Sequence, residues 1–374
     1  MTAAQQRAEQ PMVVASLEAY RLNQPLSEPY HLAFGSFDAF DTFLVQVETE
    51  NGASAWGETT ACPGYVPETG DEIWAFLCHQ AAELIGSPVE KGLHTLLPFA
   101  QDEPFAVTPM ATALEGLRPG QWSRLALKER TSTVVPLVGI LSAADERKLE
   151  AGFRAQVEKG HATVKLKVGF DVESDCRRVL FVQKLARQVQ GVRIRVDANQ
   201  GYSLADASRF VQTLDPEVVE LFEQPFGIGD WESQVALAPH CPVPLMLDES
   251  ILGPEDVKKA AALGCASYVK FKLMKAGSRA SLAELIALAG SLGLKVVLGN
   301  GVAGEIGCYH EAIAALEAGV ETAGEMNGFL KVRRPLLAEP LAARQGGIEV
   351  TMGLQQMPSP ARLAEMSVDQ RRWC

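Results

Sequence analysis

The stretch ERKLEAGFRAQVEKGHATVKLKV (146–168) contains the unit from which the fold can be predicted. Its first part, 146–160, places apolar residues on one face at helical spacing. Its second part, 162–168, is a short and mostly apolar run, typical of a buried strand. Units of this kind that repeat along a chain produce a parallel sheet with right-handed crossovers.

Eight candidate strands follow one another after position 133, at a spacing of about 25–30 residues. They are VVPLVGIL (134–141), ATVKLKV (162–168), VRIRVD (192–197), VVELFE (218–223), PLMLDE (244–249), SYVKFKL (267–273), KVVLGN (295–300) and ETAGEM (321–326). The last has the weakest strand character. Eight such units are enough to close an α/β barrel of the (β/α)8 type, and a doubly wound open sheet is the alternative.

The residues before these units have a different pattern. VVASLEAYRL (13–22) alternates like a half-buried strand, and DTFLVQVETENGASAWGET (41–59) is typical of a hairpin that turns at Asn51-Gly52. Helical spacing predominates over 70–130, as in GDEIWAFLCHQAAELIG (70–86). We therefore expect a first domain of strands and helices that ends near 129–133.

Composition and charge limit the classes of partner that the protein can have. The 374 residues carry 34 Lys and Arg against 46 Asp and Glu, a net charge of −12, which disfavours nucleic acid. No apolar run approaches the ~18 residues of a membrane span. The first residues show no secretory signal, so we expect a cytoplasmic protein with no membrane partner. The seven cysteines form no CxxC pair and are expected to be reduced thiols.

Three carboxylates stand at the ends of three successive predicted strands, namely Asp197, Glu223 and Asp248. Adjacent strands lie about 4.8 Å apart, so the three carboxylates can converge at the carboxyl-terminal rim, where barrel active sites lie. Clustered anions repel one another unless a cation lies between them, and ligation by oxygen alone indicates Mg²⁺ or Mn²⁺. Taken singly, each could instead cap a helix or form a rim salt bridge.

Lysines occupy the strands that flank this row. Lys165 and Lys167 lie in the second strand, and Lys270 and Lys272 close the sixth, which faces the second in a ring of eight. A metal, cationic neighbours and desolvation lower the pKa of an amine, so a lysine here can act as a base near pH 7. Bases on two faces of one carbon can remove a proton and return it on the other side. The alternative is that the lysines only pair with the acidic rim.

These strand ends carry a family resemblance. VKLKVG (164–169), RVDANQGY (195–202), LFEQPF (221–226), PLMLDES (244–250) and VKFKLMKAG (269–277) resemble, in order, the strand ends of the enolase superfamily, in its muconate-lactonizing subgroup. AWGETTACPGYVPET (55–69) resembles the capping domain of the same group. The resemblance implies a modified (β/α)7β barrel over 131–334, with an α+β capping domain formed by 1–130 and a return of 335–374. It also implies a homo-oligomer.

The resemblance assigns a role to each matching residue. Asp197, Glu223 and Asp248 match the ligands of Mg²⁺, and Lys167 and Lys272 match the two acid/base residues. The shared step is removal of a proton α to a carboxylate, which gives an enolate whose charge the metal bears.

The remaining matching residues have supporting roles. Lys165 would assist Lys167 electrostatically, and Lys270 is the competing choice for the acid/base of the sixth strand. Asn199 and Glu249 would hold the ligands and lysines in place, Glu249 by orienting Lys272 or Lys270.

Two departures bear on the substrate. The mandelate racemase group uses a His at the seventh strand with an Asp at the sixth, whereas this chain has Asn300 and lysine there, which disfavours acid-sugar dehydration. Dipeptide epimerases carry Asp-x-Asp at the eighth strand to hold the substrate ammonium. Here Glu325 and Asn327 stand at those positions, so one charge is lost and a free dipeptide amine is disfavoured.

The segment GNGVAG (299–304) has the GxGxxG spacing of a dinucleotide-binding loop. Only about 70 residues follow it, too few for a full nucleotide-binding unit, and it lies in the seventh repeat of the barrel. We expect either that its backbone N–H groups meet a substrate carboxylate at a helix N-terminus, or that it is a plain turn.

Loops of the capping domain close over the barrel in the family that the chain resembles. The matching stretches are PYHLAFGSFDAF (29–40) and CPGYVPET (62–69). They offer four candidate contacts for a partly apolar small-molecule carboxylate, or else form part of the capping-domain core: His31, Phe34, Phe37 and Tyr65.

Three functions fit these observations. Two opposed lysines favour a racemase or epimerase of an amino-acid derivative or related carboxylate. A cycloisomerase or a dehydrating lyase would use the same enolate with only one lysine moving a proton. A binding or regulatory protein that has lost its chemistry is the third interpretation, and the complete set of ligands and lysines disfavours it.

Overall fold

The structure is a computed structural model, and it describes residues 11–32, 35–62, 68–118, 133–141, 145–350 and 357–374. Its strands are β1 (Val14–Leu32), β2 (Gly35–Thr49), β3 (Ser54–Ala61), β4 (Thr133–Pro136), β5 (Val138–Leu141), β6 (Thr163–Lys167), β7 (Arg193–Asp197), β8 (Val219–Glu223), β9 (Leu245–Leu247), β10 (Tyr268–Phe271), β11 (Lys295–Leu298), β12 (Ala343–Arg344), β13 (Gly347–Val350) and β14 (Ser367–Trp373).

The helices are α1 (Gly70–Leu84), α2 (Val89–Leu96), α3 (Pro104–Gly116), α4 (Glu146–Glu158), α5 (Val172–Ala186), α6 (Leu204–Phe210), α7 (Trp231–Leu237), α8 (Pro254–Leu263), α9 (Leu273–Ala276), α10 (Arg279–Ser291), α11 (Glu305–Glu317) and α12 (Pro360–Met366). Short 3₁₀ turns cover Leu97–Gln101, Val211–Thr213, Ala238–His240 and Gly328–Leu330. Within the described ranges, no helix has the length and apolar character needed to cross a bilayer.

Seven parallel strands form the central sheet, in the spatial order β11-β10-β9-β8-β7-β6-β5. A helix follows each strand from β5 to β11, so the repeating unit predicted from 146–168 recurs around the sheet. Apolar side chains of the strands pack against the helices in two large buried clusters. The barrel with an α+β cap predicted from the sequence is confirmed.

A short connection closes the two edges of this sheet into a ring. Gly324 N donates to Pro136 O at 2.8 Å and Val138 N donates to Gly324 O at 2.8 Å, which joins the segment to the first barrel strand. Glu325 N donates to Leu298 O at 2.9 Å, which joins it to the last one. The segment therefore completes the barrel without forming a regular strand.

The eighth predicted strand, 321–326, is thus wrong as a strand. Its one ladder contact is an isolated bridge between Gly324 and Leu137. Ala, Gly and Glu make up most of this segment, and all three are depleted in strands. In the described part of the chain, only Gly324 and Glu325 make the backbone hydrogen bonds that close the ring between β5 and β11. The side chain of Glu325 therefore enters the barrel, where it contacts Lys165 and Lys270.

The first predicted strand, 134–141, is divided into two. Val138–Leu141 belongs to the parallel sheet, whereas Thr133–Pro136 pairs antiparallel with β13. Pro136 lacks an N–H group, which suits the end of a strand. The C-terminal stretch is divided in the same way, because β12 and β13 extend β4 while β14 pairs with β1 of the N-terminal sheet.

The N-terminal sheet has the order β14-β1-β2-β3, and all its pairs are antiparallel. The hairpin predicted over 41–59 is confirmed, with β2 and β3 joined through Asn51-Gly52. Helices α1, α2 and α3 pack on this sheet and bury one continuous apolar cluster. The expected domain boundary near 129–133 falls almost wholly outside the described residues.

Two buried glutamates of the N-terminal domain cap barrel helices. Glu58 of β3 accepts hydrogen bonds from backbone N–H groups at the start of α11. Glu115 of α3 accepts from the first two N–H groups of α10, at 2.9 Å each. Carboxylates stabilise helix N-termini, so these contacts fix the cap on the last two barrel helices.

Arg195 supplies an internal brace, a role that the sequence did not reveal. Its guanidinium is buried and makes two hydrogen bonds with Glu220, at 3.0 and 3.1 Å. Its Nη1 also donates to Ala323 O at 2.6 Å, so it ties β7 to the closing segment. Arg193, the other arginine of this strand, donates to backbone carbonyls of the next unit.

We predict that Gly299→Ala destabilises the contact between β11 and the segment that closes the barrel. A Cβ at Gly299 would lie 2.3 Å from Glu325 N, so the closing segment would have to move, at a cost of about 1–3 kcal/mol. Gly227→Ala is the control, because Gly227 lies outside the helices and strands and its added Cβ meets nothing within 4 Å. Urea unfolding of both variants measures the difference, and equal stabilities would contradict this account of closure.

Candidate active site

The three strand-end carboxylates lie on three adjacent strands. Asp197 is the last residue of β7, Glu223 is the last of β8, and Asp248 directly follows β9. Asp197 and Glu223 are in register across the ladder. All three side chains are buried, so they form a row at the carboxyl-terminal end of the barrel.

Backbone turns with positive φ follow two of these strands and fix the row. Asn199 and Gln200 have φ of 40° and 70°, and Gln224 has φ of 36°. Such conformations in non-glycine residues cost free energy and cluster at functional sites. Gln224 also accepts hydrogen bonds from Asp248 N at 2.9 Å and Ser250 N at 3.2 Å. Gln224 is not among the predicted site residues, although its place between a strand-end Glu and a Pro is visible in the sequence.

Lys165 is an inner lysine that joins three carboxylates. Its Nζ lies 2.7 Å from an oxygen of each of Asp197, Glu223 and Glu325. Its side chain is only 1% exposed, so its charge is compensated almost entirely by these partners.

Lys270 is the matching inner lysine on the other side of the row. Its Nζ lies 3.1 Å from Glu223 and 3.2 Å from Asp248, and it also contacts Glu325. Glu325 therefore lies between the two inner lysines, and its carboxylate is engaged inside the barrel.

Two outer lysines stand at the ends of the carboxylate row. Lys167 Nζ donates to Asp197 at 2.6 Å, and Lys272 Nζ donates to Asp248 at 2.5 Å. The side chain of Lys167 is 24% exposed and that of Lys272 is 9% exposed, against 1% and 3% for the inner lysines. A ligand that enters the barrel mouth therefore meets Lys167 and Lys272 first.

The charges in this cluster set its protonation. Burial would raise the pKa of Asp197, but the neighbouring ammonium groups hold it below its usual range. Burial would lower the pKa of Lys167 and Lys272, yet the charges of Asp197 and Asp248 raise both above the ordinary value. These raised values apply to a row whose only cations are lysines, whereas the expected lowering includes the charge of a bound metal. Of the four lysines that contact the row, only Lys270 has a lowered pKa, because burial outweighs its carboxylates.

The donor set of this row suits a hard divalent cation. It consists of buried carboxylate oxygens, and Glu223 Oε2 receives no hydrogen bond although Lys165 is 2.7 Å away. In the described part of the chain, however, no three His, Cys, Asp or Glu side chains already have the spacing of a metal site. Binding would therefore require the carboxylates to exchange lysine contacts for the cation.

Asn199 links the row to its neighbours. Its Oδ1 accepts from Lys167 Nζ at 2.7 Å, its Nδ2 donates to Glu249 at 3.1 Å, and its backbone N donates to Asp197 at 2.9 Å. Asn199 therefore positions Lys167. Glu249 is buried, and its Oε1 accepts this hydrogen bond from the amide of Asn199.

The residues predicted as substrate contacts differ in where the structure places them. Asn300 accepts from Val302 N at 2.9 Å and so shapes its own loop. Asn327 accepts from Lys331 Nζ at 3.2 Å. Phe37 packs against the capping-domain core. Tyr65 and Phe34 lie outside the described residues, as does the side chain of His31.

The glycine-rich segment 299–304 leads into the N-terminus of α11, and this end is already capped. Gly304, Ile306 and Gly307 donate their N–H groups to Glu58, the latter two at 2.9 and 3.1 Å. The expectation that these groups receive a substrate carboxylate is therefore corrected: a carboxylate of the protein itself occupies them. Burial raises the pKa of Glu58 to about 7, against the three N–H donors.

Comparison with known proteins gives concordant results. A family model described as enolase C-terminal domain-like matches residues 148–354. An N-succinyl-L-Arg/Lys racemase of Bacillus cereus is 22% identical, over 87% of this chain and 90% of that protein. Muconate cycloisomerase 1 of Pseudomonas putida is 28% identical, over 91% and 94%. A muconate lactonizing enzyme from Pseudomonas fluorescens, complexed with muconolactone, superposes with a TM-score of 0.84 at 26% identity, over 96% and 100%.

We predict that Glu58 makes stability depend on pH. Its folded pKa of about 7 exceeds the ordinary 4.5, so its contribution is full below pH 4.5 and is lost as pH rises through 7. Glu58→Gln should reduce the slope of unfolding free energy against pH, by at most about 1.4 kcal/mol per unit. Urea unfolding between pH 5 and 8 measures this, with the exposed Glu83→Gln as control. Parallel curves for Glu58→Gln and the unaltered protein would contradict it.

Proposed function

Because the chain belongs to the enolase C-terminal domain-like family and is an enzyme of the enolase superfamily, we propose that it removes the proton α to a carboxylate. We propose that it does so as a racemase or epimerase of an amino-acid derivative or related carboxylate. One observation carries this proposal: Lys167 and Lys272, the more exposed two of the four lysines at the carboxylate row, stand at its opposite ends.

The two outer lysines divide the proton transfer. In one direction Lys167 accepts the α-proton and Lys272 donates a proton to the opposite face, and in the other direction they exchange roles. Asn199 holds the amine of Lys167 in place through its 2.7 Å hydrogen bond. Asp248 holds that of Lys272 at the other end. Acid/base groups on both faces allow a proton to leave one side of the α-carbon and return on the other.

Asp197, Glu223 and Asp248 are the residues that would hold Mg²⁺. When bound, Mg²⁺ supplies positive charge beside the oxyanion that develops as the proton leaves.

The balance of positive and negative charges at the row supports the role of a lysine as a base. Four carboxylates, those of Asp197, Glu223, Asp248 and Glu325, contact four lysine ammonium groups. Adding a divalent cation and one substrate carboxylate leaves one surplus positive charge, which the loss of one lysine proton cancels.

A cycloisomerase is the second candidate. It is supported by the muconate cycloisomerase relative and by the similarity of the fold to a muconate lactonizing enzyme. In that reaction only one of the two outer lysines transfers a proton, and the other acts through its charge. The two candidates therefore predict different α-proton exchange for the variants that lack Lys167 or Lys272.

We predict that Lys167→Ala and Lys272→Ala each abolish racemisation. Each variant keeps the lysine that serves one face, so each should still exchange the α-proton of one enantiomer with solvent, and of opposite enantiomers. The loss of turnover should reach roughly 10²–10⁴-fold, as for removal of a general base. NMR in D₂O with polarimetry measures exchange and inversion on a panel of N-acylated amino acids.

The same panel decides between the alternatives. If only Lys167 matters for exchange, the cycloisomerase candidate replaces the racemase. If Lys272→Ala keeps normal turnover and Lys270→Ala does not, the inner lysine of β10 is the acid/base. A protein inert toward all the carboxylates, with Mg²⁺ present, would contradict both candidates.

We predict that Asp197→Asn, Glu223→Gln and Asp248→Asn each weaken Mg²⁺ binding by at least tenfold, because each removes a charged oxygen ligand. Titration calorimetry of each variant measures the affinity. Glu232→Gln on α7, an exposed change of the same kind, is the control. Undiminished affinity in all three site variants would overturn the ligand assignment.

A further inference from the structure

The two outer lysines are held by different parts of the fold. Lys167 is the last residue of β6 and lies in register with Asp197 inside the parallel ladder. Lys272 lies beyond β10, whose last paired residue is Phe271, opposite Leu298. Lys272 directly precedes helix α9 and has an extended backbone, with φ −131° and ψ 132°. The direction of its side chain therefore depends on how α9 begins.

Hydrogen bonds hold both sides of the peptide that joins Lys272 to α9. The carbonyl oxygen of Lys272 accepts from Lys275 N at 3.0 Å and from Ala276 N at 3.2 Å, within the turn itself. The N–H of Leu273 belongs to the same peptide and donates to Glu311 Oε1 at 2.7 Å. Glu311 lies on α11, so this last bond fixes the peptide to a neighbouring barrel helix.

Glu311 is a carboxylate in an apolar part of the core. Leu273, Cys308 and Ala312 belong to the surrounding apolar cluster, and Glu311 itself is only 1% exposed. Within the described residues, its Oε2 accepts no hydrogen bond. A buried carboxylate costs free energy that an apolar side chain at the same position would not. The contact with Leu273 N offsets part of that cost, which indicates that the carboxylate serves α9 rather than core packing.

The far end of α9 has separate contacts. Asn300 Nδ2 donates to Met274 Sδ, and Gly277 ends the helix with φ of 77°. A Cβ at Gly277 would lie 2.5 Å from Ala100 Cβ of the capping domain, so the chain is closely packed there. These contacts hold residues after Leu273, whereas Glu311 acts at the end of α9 that carries Lys272.

We propose that Glu311 is a positioning residue for Lys272 and therefore controls proton transfer at one face of the α-carbon. This rests on the proposed function, in which Lys167 and Lys272 serve opposite faces. Displacement of a catalytic group by about 1 Å can cost about 100-fold in rate, so a shift in the start of α9 should slow only the transfer through Lys272. Asn199 is the corresponding residue for Lys167, whose Nζ it holds at 2.7 Å.

The hydrogen bond to Leu273 needs an acceptor rather than a negative charge. Burial raises the pKa of Glu311 to about 7, while the bond from Leu273 N opposes the rise, so both protonation states are populated near neutral pH. In either state an oxygen can accept from Leu273 N. Glu311→Gln keeps such an oxygen, whereas Glu311→Met has a side chain of similar length without the acceptor.

Crystal structures of the two variants test the positioning directly. We expect Glu311→Gln to retain the contact of Lys272 Nζ with Asp248, which is 2.5 Å in the unaltered protein. In Glu311→Met, Leu273 N should turn away from α11 and Lys272 Nζ should leave Asp248, with the contacts of Lys167 unchanged. If Glu311→Met does not fold, an ester in place of the Lys272–Leu273 peptide bond removes the same donor and leaves every side chain intact.

Exchange of the α-proton in D₂O, followed by NMR for each enantiomer of an N-acylated amino acid with Mg²⁺ present, tests the effect on one face. In Glu311→Met, exchange should fall by about 10- to 100-fold for the enantiomer whose exchange Lys272→Ala abolishes, and by less than about twofold for the other. Glu311→Gln should keep the rates of the unaltered protein. Glu317→Met makes the same change at an exposed position of α11 and should alter neither rate.

Three results would overturn the role of Glu311. They are an unmoved Lys272 in Glu311→Met, unchanged or equally slowed exchange of the two enantiomers, and equal losses in Glu311→Gln and Glu311→Met. The proposed function fails separately, if the unaltered protein exchanges no N-acylated amino acid. In that case the crystal structures still decide whether Glu311 positions Lys272.

Discussion

The balance of buried charge at the barrel rim is the constraint on which the rest of the structure depends. Carboxylates at the ends of β7, β8 and β9, with a fourth from the closing segment, are held together by lysines that lie in β6 and in or directly after β10. Removing either sign alone would leave uncompensated charge in a dry site, which is strongly destabilising. The balance also makes the site responsive, because any added cation must displace a lysine or its proton.

The capping domain contributes to this site from a distance and at close range. Glu58 and Glu115 anchor the last two barrel helices to the cap, so β10 and β11 have fixed positions relative to β3 and α3. At closer range, Tyr30 of β1 contacts Lys331, whose Nζ also donates to Asn327 just after the closing segment. The cap therefore contacts the barrel both at its last two helices and near the residues that close the ring.

The sequence predicted the barrel and the carboxylate row because both follow local rules. Strand ends recur at regular spacing, and a charge at the end of an apolar strand stands out in the sequence, as at Asp197. The eighth strand failed because only two residues close the ring, and hydrogen bonds to distant strands position them. The contacts of Glu58 with α11 and of Tyr30 with Lys331 join residues about 250–300 positions apart, and no local pattern indicates such a contact.

A divalent cation that binds at the carboxylate row must take the place of lysine contacts. Anomalous diffraction from crystals grown with Mn²⁺ tests it most directly, because Mn²⁺ takes the same oxygen ligands as Mg²⁺. We expect one anomalous peak, bound by Asp197, Glu223 and Asp248, with Lys165 withdrawn from at least one of its carboxylates. An absence of any peak at the row, or a peak bound elsewhere while the lysine contacts persist, would contradict it.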